Sequence, residues 1–563
     1  MQMAEPISGA ARRMVLLGLD GATFRIIKPW AEAGHLPHFA RLFSDSAWGR
    51  LASTIPPTTP PAWAACLTGK NPGKHGIFDF RESPLKYPDR PLINLSSMQG
   101  RKLWHLFNAA GKKVAIVNVP ITYPPEPVDG LMISGMMTPS DDSAYTYPAE
   151  VKDELNQVTG HYVVNIDIPK YDVELEADAL RFMDDIDNSF QKRKEAFFYL
   201  LEAKEWTFFM IVFIIMDRIQ HLFWKYMDPQ WDKHYNSPLA KKIRPRILAS
   251  FQMVDEMLGE LRQILGDTPL MIMSDHGFGS TREWFNVNTW LMKNGYLKVK
   301  SDVLLKKQIF SFFMNLNDSQ IVKSLVPKNV QSVVRGKIRG TRSTFKSDLE
   351  AALDYSGTRA FFASIPSQGI FINVKRENGL GIVEPGAEYD KLRAEIREKL
   401  TELRHPKTGQ RAIDKVYYRE EIYHGDQTRY AADILFVAQN YGCLGRQLLG
   451  LSGVFQSSVD TPNGFHRPDG IFYALGPQFK AGHELQGAEI ADIAPTVLHL
   501  CGQPVPDDMD GALLADAFNP QFLAAHPLQK VSAESFADSQ RQDFTSQETD
   551  EIAKRLRSLG YLE

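Results

Sequence analysis

Cysteine is scarce: three in 563 residues, Cys66, Cys443 and Cys501. They are far apart and odd in number. Neither a disulfide framework nor a paired-cysteine zinc site can be read from them, and a reducing compartment fits. Excess charge is missing as well. The formal net charge is -3, so no global basic field argues for a nucleic-acid partner. Long apolar runs are lacking too. The longest, FFMIVFIIM at Phe208–Met216, is about half a membrane span and reads as a buried strand. Arg12-Arg13 before MVLLGL imitates a twin-arginine leader. The apolar run stops at Asp20 after six residues, however, and no small-residue cleavage site follows. Residues 1–13 are therefore expected to be a short tail, and the protein cytoplasmic. No internal repeat is visible.

Apolar content is ample at 44%, enough for a large core and more than one minimal domain. Short strands that are apolar on both faces alternate with helical segments. Met14–Gly21, Lys113–Pro120, Leu131–Met136, Phe208–Met216 and Pro269–Ser274 are the clearest strands. That alternation predicts an α/β fold with a largely parallel central sheet covered by helices on both faces. The expected division is a tail at 1–13, an α/β core at 14–297, a basic helical cap at 298–346, a second part of the core at 347–515, and a tail with a short helix at 516–563. GIFINVK and ILFVAQ are read as the sheet resuming after Arg359. In 298–346 eleven Lys and Arg face only Asp302 and Asp318, a net of +9. Such a segment suits a cap over a site, or a peripheral contact with an anionic membrane surface. A solvated basic face is the plainer reading.

Two features carry chemistry. The first is IPPTTPPAWAACLTGKNPGKHGIFD at Ile55–Asp79. Pro60 and Pro61 suit a first helical turn and Gly69 suits its end. Thr59 then sits at a helix N-terminus, where an anion, or a hydroxyl that becomes one, is stabilised. Alone, Thr59 could be an ordinary helix cap.

The second feature is a set of aspartates at strand ends. LLGLD ends in Asp20, VFIIMD in Asp217 and MIMSD in Asp275. In open α/β sheets the ligand-binding groups gather beyond the carboxyl ends of the strands. His221 follows Asp217 at i+4, one helical turn on, so the pair can hold one cation. His276 adjoins Asp275, and GFHRPDG supplies His466. Aspartate and neutral imidazole suit zinc, and carboxylate-rich sets also admit manganese.

The order Asp20-Gly, Thr59-Pro-Pro, Asp217-x3-His221, Asp275-His276-Gly and His466 resembles the alkaline phosphatase superfamily. Its nearest branch is the type I phosphodiesterase/nucleotide pyrophosphatase-like group of phosphohydrolases and phosphomutases. The likeness runs from Met14 to about Leu514 and includes VNVPITYPPEP, SDHGFG, GIVEPG and ADIAPT…MDG. The resemblance implies an alkaline-phosphatase-like core with inserted cap segments and two divalent ions. Asp217, His221 and His466 would bind one ion. Asp20, Asp275 and His276 would bind the other, close to the Thr59 oxygen. Two such ions roughly 4 Å apart stabilise the attacking and the leaving oxygen of an in-line phosphoryl transfer. Zinc is preferred over manganese because half the ligands are imidazole. Thr59 would form a phosphothreonine that water then hydrolyses.

Relatives of this kind carry an Asn three residues after the nucleophile, as a donor to the phosphoryl group. Here that position is Ala62. Arg467 and Lys74 are the candidate replacements. A sulfatase is disfavoured, because no C/S-x-P-x-R segment surrounds Thr59. The expectation is a metal-dependent hydrolase of phosphoesters, foremost phosphodiesters, on a substrate that the basic segment would suit if it is polyanionic or lipid-linked. The alternatives are a phosphomonoesterase or phosphomutase of the same superfamily and, in another class, a non-catalytic metal-binding regulator.

Overall fold

The strands that alternate apolar residues on both faces assemble as one sheet. The computed structural model describes residues 13–166, 168–300, 353–376, 379–449, 453–458, 464–533 and 541–562. These fall into two compact units, one comprising 1–281, 422–431 and 460–559, the other 282–421, 432–459 and 560–563.

The first unit is built on a nine-stranded sheet. Its spatial order is His483–Glu489, Ala47–Ala52, Asp469–Leu475, Leu270–Met273, Met14–Leu19, Phe208–Phe213, Val114–Val119, Gly130–Ser134 and Thr146–Tyr147. From Leu270–Met273 through Gly130–Ser134 neighbours run parallel. The Asp469–Leu475 strand is antiparallel to both of its neighbours. Every residue of Met14–Leu19, Val114–Val119 and Phe208–Phe213 is buried, the signature of a sheet covered on both faces. Phe107, from the Leu103–Ala109 helix, stacks on Phe208 at 4.9 Å. Phe197, from the Glu176–Ala203 helix, meets Phe209 and Phe213 on the opposite side. Successive strand residues point to opposite faces, so these two helices cover different faces. Each fully buried Val, Leu, Ile or Phe contributes about 1.5–3 kcal/mol relative to exposure. No helix among the described residues is long and apolar enough to cross a membrane.

The second unit contains a four-stranded antiparallel sheet, in the order Ala360–Phe362, Gly369–Ile372, Ile434–Val437 and Lys415–Tyr418. A three-stranded sheet holds Cys443–Arg446, Glu283–Asn286 and Phe455–Ser457. GIFI and ILFV, read as a return of the core sheet, therefore pair with each other elsewhere. Their apolar period specifies burial, but not which sheet supplies the partner. The expected basic cap at 298–346 lies, from residue 301 on, outside the described residues.

The C-terminal region is more ordered than its composition suggests. A helix spans Ser546–Ser558, and Thr545 and Glu548 close a capping box at its start. Ile552, Ala553 and Leu556 are buried, and the Arg555 guanidinium donates to the Thr138 carbonyl at 2.9 Å and to that of Pro139. An amphipathic face thus docks the helix on the first unit.

Candidate active site

The register of the central strands sets the site. Leu19 is opposite Phe213, and Gly18 is opposite both Val212 and Met273. The residues that follow each strand therefore leave the sheet at one edge. Asp20, Asp217 and Asp275 all leave there and are almost wholly buried.

Asp217 lies in the first turn of the Ile215–Met227 helix, and His221 one turn later. Their Oδ1 and Nε2 atoms are 3.3 Å apart. His466 comes from the Gly464–Arg467 strand, which pairs antiparallel with Gly277–Ser280 and sets His466 opposite Phe278. Its Nε2 lies 3.6 Å from Asp217 Oδ1 and 3.1 Å from His221 Nε2. His276 Nε2 lies 3.1 Å from Asp275 Oδ2, 3.8 Å from Asp20 Oδ1 and 3.2 Å from Thr59 Oγ1.

Tautomers follow from the second ring nitrogens. His466 Nδ1 is 3.0 Å from the Pro57 carbonyl, and His276 Nδ1 is 3.1 Å from that of Gly277. A carbonyl only accepts, so each Nδ1 carries the proton and each Nε2 presents a lone pair. Those lone pairs face carboxylate oxygens, an arrangement that is repulsive unless a cation sits between them. Asp20 Oδ1 and Asp275 Oδ2 are buried and find no hydrogen-bond donor among the described residues. Two donor sets gather closely enough to hold a cation: Asp217, His221 and His466, and Asp20, Asp217 and His276. The residues present fit two divalent ions. Asp217 takes part in both sets. Asp275, expected in the second set, touches it through His276.

The protonation energetics agree. Burial pushes the Asp20 carboxyl well above the usual carboxylate range, and neighbouring Asp217 adds to the effect. Burial likewise raises Asp275, reinforced by Asp20 and Asp217. Burial would raise Asp217 too, but His221, His466 and Arg218 outweigh it and hold that carboxyl well below the usual range. Burial lowers His276 well below the ordinary imidazole value, with His466 adding to it. His466 is lowered to about 4, chiefly by burial. The His276 and His466 imidazoles are thus neutral and ready to ligate.

Thr59 opens a helix, Thr59–Thr68, that is buried along its whole length and capped by Gly69 in the left-handed region at φ 67°. Pro60 and Pro61 have no N–H, and the Ala62 amide already bonds the Thr58 carbonyl at 3.1 Å. The helix start therefore offers an anion the Thr59 amide, not the usual three. Ala62 is fully buried and brings no donor. The two expected substitutes for it are engaged elsewhere. The Arg467 guanidinium donates to the carbonyls of Phe465, His466 and Ser280. Lys74 pairs with Asp510 and donates to the Asp508 carbonyl.

Two residues escaped the sequence reading. Trp63 Nε1 donates to Asp20 Oδ2 at 3.2 Å. Its ring lies so close to Gly18 that a Cβ there would come within 2.5 Å of Trp63 Cη2, which explains a glycine inside a buried strand. Arg218 Nη1 donates to Asp217 Oδ2 at 2.7 Å. Its signal was its place in DRIQH; nothing local to Trp63 announced Asp20.

A model of the type I phosphodiesterase / nucleotide pyrophosphatase family matches residues 14–441. No curated protein matches. Among solved structures, human ectonucleotide pyrophosphatase / phosphodiesterase 5 shows 14% identity and a TM-score of 0.47, over 90% of this chain and 100% of that one. Phosphonoacetate hydrolase from Sinorhizobium meliloti 1021, in complex with phosphonoformate, shows 14% identity and a TM-score of 0.49, over 86% of this chain and 94% of that one.

Proposed function

The chain belongs to the type I phosphodiesterase / nucleotide pyrophosphatase family, and from that premise we propose that it cleaves phosphoesters through a covalent phosphothreonine on Thr59. The coarser assignment, a phosphohydrolase of the alkaline phosphatase superfamily, follows from the family. The observation that carries the finer one is the Thr59 hydroxyl, buried at a helix N-terminus 3.2 Å from His276 Nε2 and beside two candidate cation sets. Divalent ions held by those sets, zinc for its match to imidazole, would neutralise the carboxylates and stabilise charge on the phosphoryl oxygens.

The chain's own part is positioning. The helix orients Thr59, and its dipole favours the alkoxide. Thr59 Oγ1 lies 3.2 Å from His276 Nε2, so a cation held through that nitrogen would be within reach of the Thr59 oxygen. In the first step the Thr59 O–P bond forms and the bond from phosphorus to the leaving oxygen breaks. In the second, water adds to phosphorus and the Thr59 O–P bond breaks, releasing the phosphoryl product. Burial keeps bulk water from the site and strengthens every charge interaction inside it.

Phosphodiesters are the first substrate class. Ala62 favours a second reading, a monoesterase or mutase, because it leaves the diesterase donor position empty of hydrogen-bonding capacity. The test compares bis-p-nitrophenyl phosphate with p-nitrophenyl phosphate as substrates of metal-reconstituted protein. Diester turnover that falls by at least about 10³-fold in Thr59→Ala supports the nucleophile. Undiminished turnover in that variant removes it. A monoester preference moves the assignment to the second reading.

A further inference from the structure

Gln220 lies between Asp217 and His221 on the Ile215–Met227 helix and is wholly buried. Its Nε2 donates to the Gly21 carbonyl at 2.8 Å and to the Met216 carbonyl at 3.0 Å. Both neighbours only accept, so the amide presents its nitrogen to them. Among the described residues no other donor reaches the Gly21 carbonyl. Gly21 follows Asp20, and its amide donates to Asp275 Oδ1 at 3.2 Å. It has φ 68°, and a Cβ on it would lie 3.2 Å from Asp217 Cα. The turn that carries Asp20 therefore packs directly on the start of the Asp217 helix. The strand that carries His466 rests on the Gln220 main chain, where a Cβ on Gly464 would lie 2.2 Å from the carbonyl oxygen. Gln220 Oε1 is buried and meets no donor among the described residues, a costly arrangement. Methionine has the same length and would fill the space without that cost. What the glutamine supplies and methionine does not is the pair of N–H donors.

We infer that Gln220 is a positioning residue for the cation set of Asp20, Asp217 and His276: its amide ties the turn after Asp20 to the helix that carries Asp217, and so fixes the spacing of the two carboxylates. The inference rests on the two-cation reading above and deepens it. Asp20, Asp217 and His276 each bring one donor atom within 4.8 Å of the others. Two carboxylates that close repel each other until a cation is bound, so the empty set keeps its shape only if something outside it holds the elements together. The Gln220 amide does this from one side, and the Gly21 amide carries the same turn to Asp275. The set of Asp217, His221 and His466 does not include Asp20 and has no share in that tether. Were Gln220 present only to pair a buried carbonyl, its loss would lower stability and leave both sets equally able to bind.

The test measures zinc affinity by chelator competition in two single-set backgrounds, each with and without Gln220→Met. His466→Ala leaves the Asp20, Asp217 and His276 set, and His276→Ala leaves the other. The test needs no turnover, so failure of the nucleophile assignment leaves it intact. Thermal unfolding of the metal-free proteins is followed on the same samples. The expected result is zinc affinity at least about tenfold weaker with Gln220→Met in the His466→Ala background, and within about twofold of the parent in the His276→Ala background. Affinity within about twofold of the parent in both, with a lower unfolding midpoint, means that the amide only pairs a carbonyl and overturns the inference. Equal weakening in both also overturns it, because Gln220 would then be supporting the helix as a whole. Absence of zinc from both parent backgrounds removes the two-cation reading itself, and the inference with it. If Gln220→Met does not fold, Gln220→Asn decides: it keeps the amide one methylene short of Gly21, and parental affinity in it rejects the role.

Discussion

Trp63→Phe removes one donor and keeps most of a ring. Trp63 is fully buried, and its indole N–H bonds Asp20 Oδ2 at 3.2 Å. A cation in the candidate set would be bound by ionised Asp20, and a hydrogen bond to an ionised group contributes about 1.5–3 kcal/mol against about 1 kcal/mol for a neutral pair. The donor therefore favours the loaded form over the protonated empty form by about 0.5–2 kcal/mol, or about 2–30-fold in cation affinity. The vacated volume beside Gly18 costs a further ~1–3 kcal/mol of stability, in loaded and empty protein alike. Two measurements separate the effects: zinc competition against a chromophoric chelator, and thermal unfolding with and without metal. The expected outcome is a lower midpoint in both states together with affinity reduced on the order of tenfold. A lower midpoint with affinity within about twofold of wild type would show that the indole only packs, and would refute the reasoning.

Asp217 contributes to both cation sets, so Asp217→Asn is expected to lose both ions, each by more than the ~100-fold that a supporting residue costs, whereas His466→Ala loses one; metal-to-protein ratios by atomic absorption decide, and one ion retained at parental affinity in Asp217→Asn contradicts the sharing. His75 is fully buried, and burial, opposed by Asp510 and reinforced by Lys70, lowers its pKa to about 3. The unfolded chain therefore takes up this proton first, at about pH 6.5. Stability is full above that pH and is lost as pH falls towards about 3, at up to ~1.4 kcal/mol per unit. Between about pH 7 and about pH 5, His75→Gln should lose less thermal stability than wild type; equal losses would show that His75 does not carry this dependence.

How much of this was legible in the chain follows from the range of each signal. The strand ends near Asp20 and Asp275 could be read because apolar runs stop abruptly there; the run before Asp217 overran its strand, which ends at Phe213, into the Ile215–Met227 helix. The Asp217–His221 pair could be read because helical spacing is local. The start at Thr59 and the stop at Gly69 could be read because proline and glycine restrict the backbone on their own. The Gly369–Ile372 and Ile434–Val437 strands show the limit. Their composition predicted burial correctly, yet their partner is each other, in a separate sheet. The Ser546–Ser558 helix was legible as amphipathic; what it covers was not.

The sequence by itself determined the family, the α/β class and the roster of carboxylates, imidazoles and hydroxyl, because these depend on residue identity and short-range order. Only the tertiary structure decided which atoms meet. His466 reaches Asp217 from 249 residues along the chain, by pairing its strand with Gly277–Ser280. Asp217 is shared between two sets, with Asp275 set one imidazole away. Trp63 holds Asp20 and Arg218 bonds Asp217, while Arg467 and Lys74 bond elsewhere. Such contacts depend on sheet register and on which helix crosses which strand, and no local periodicity encodes either.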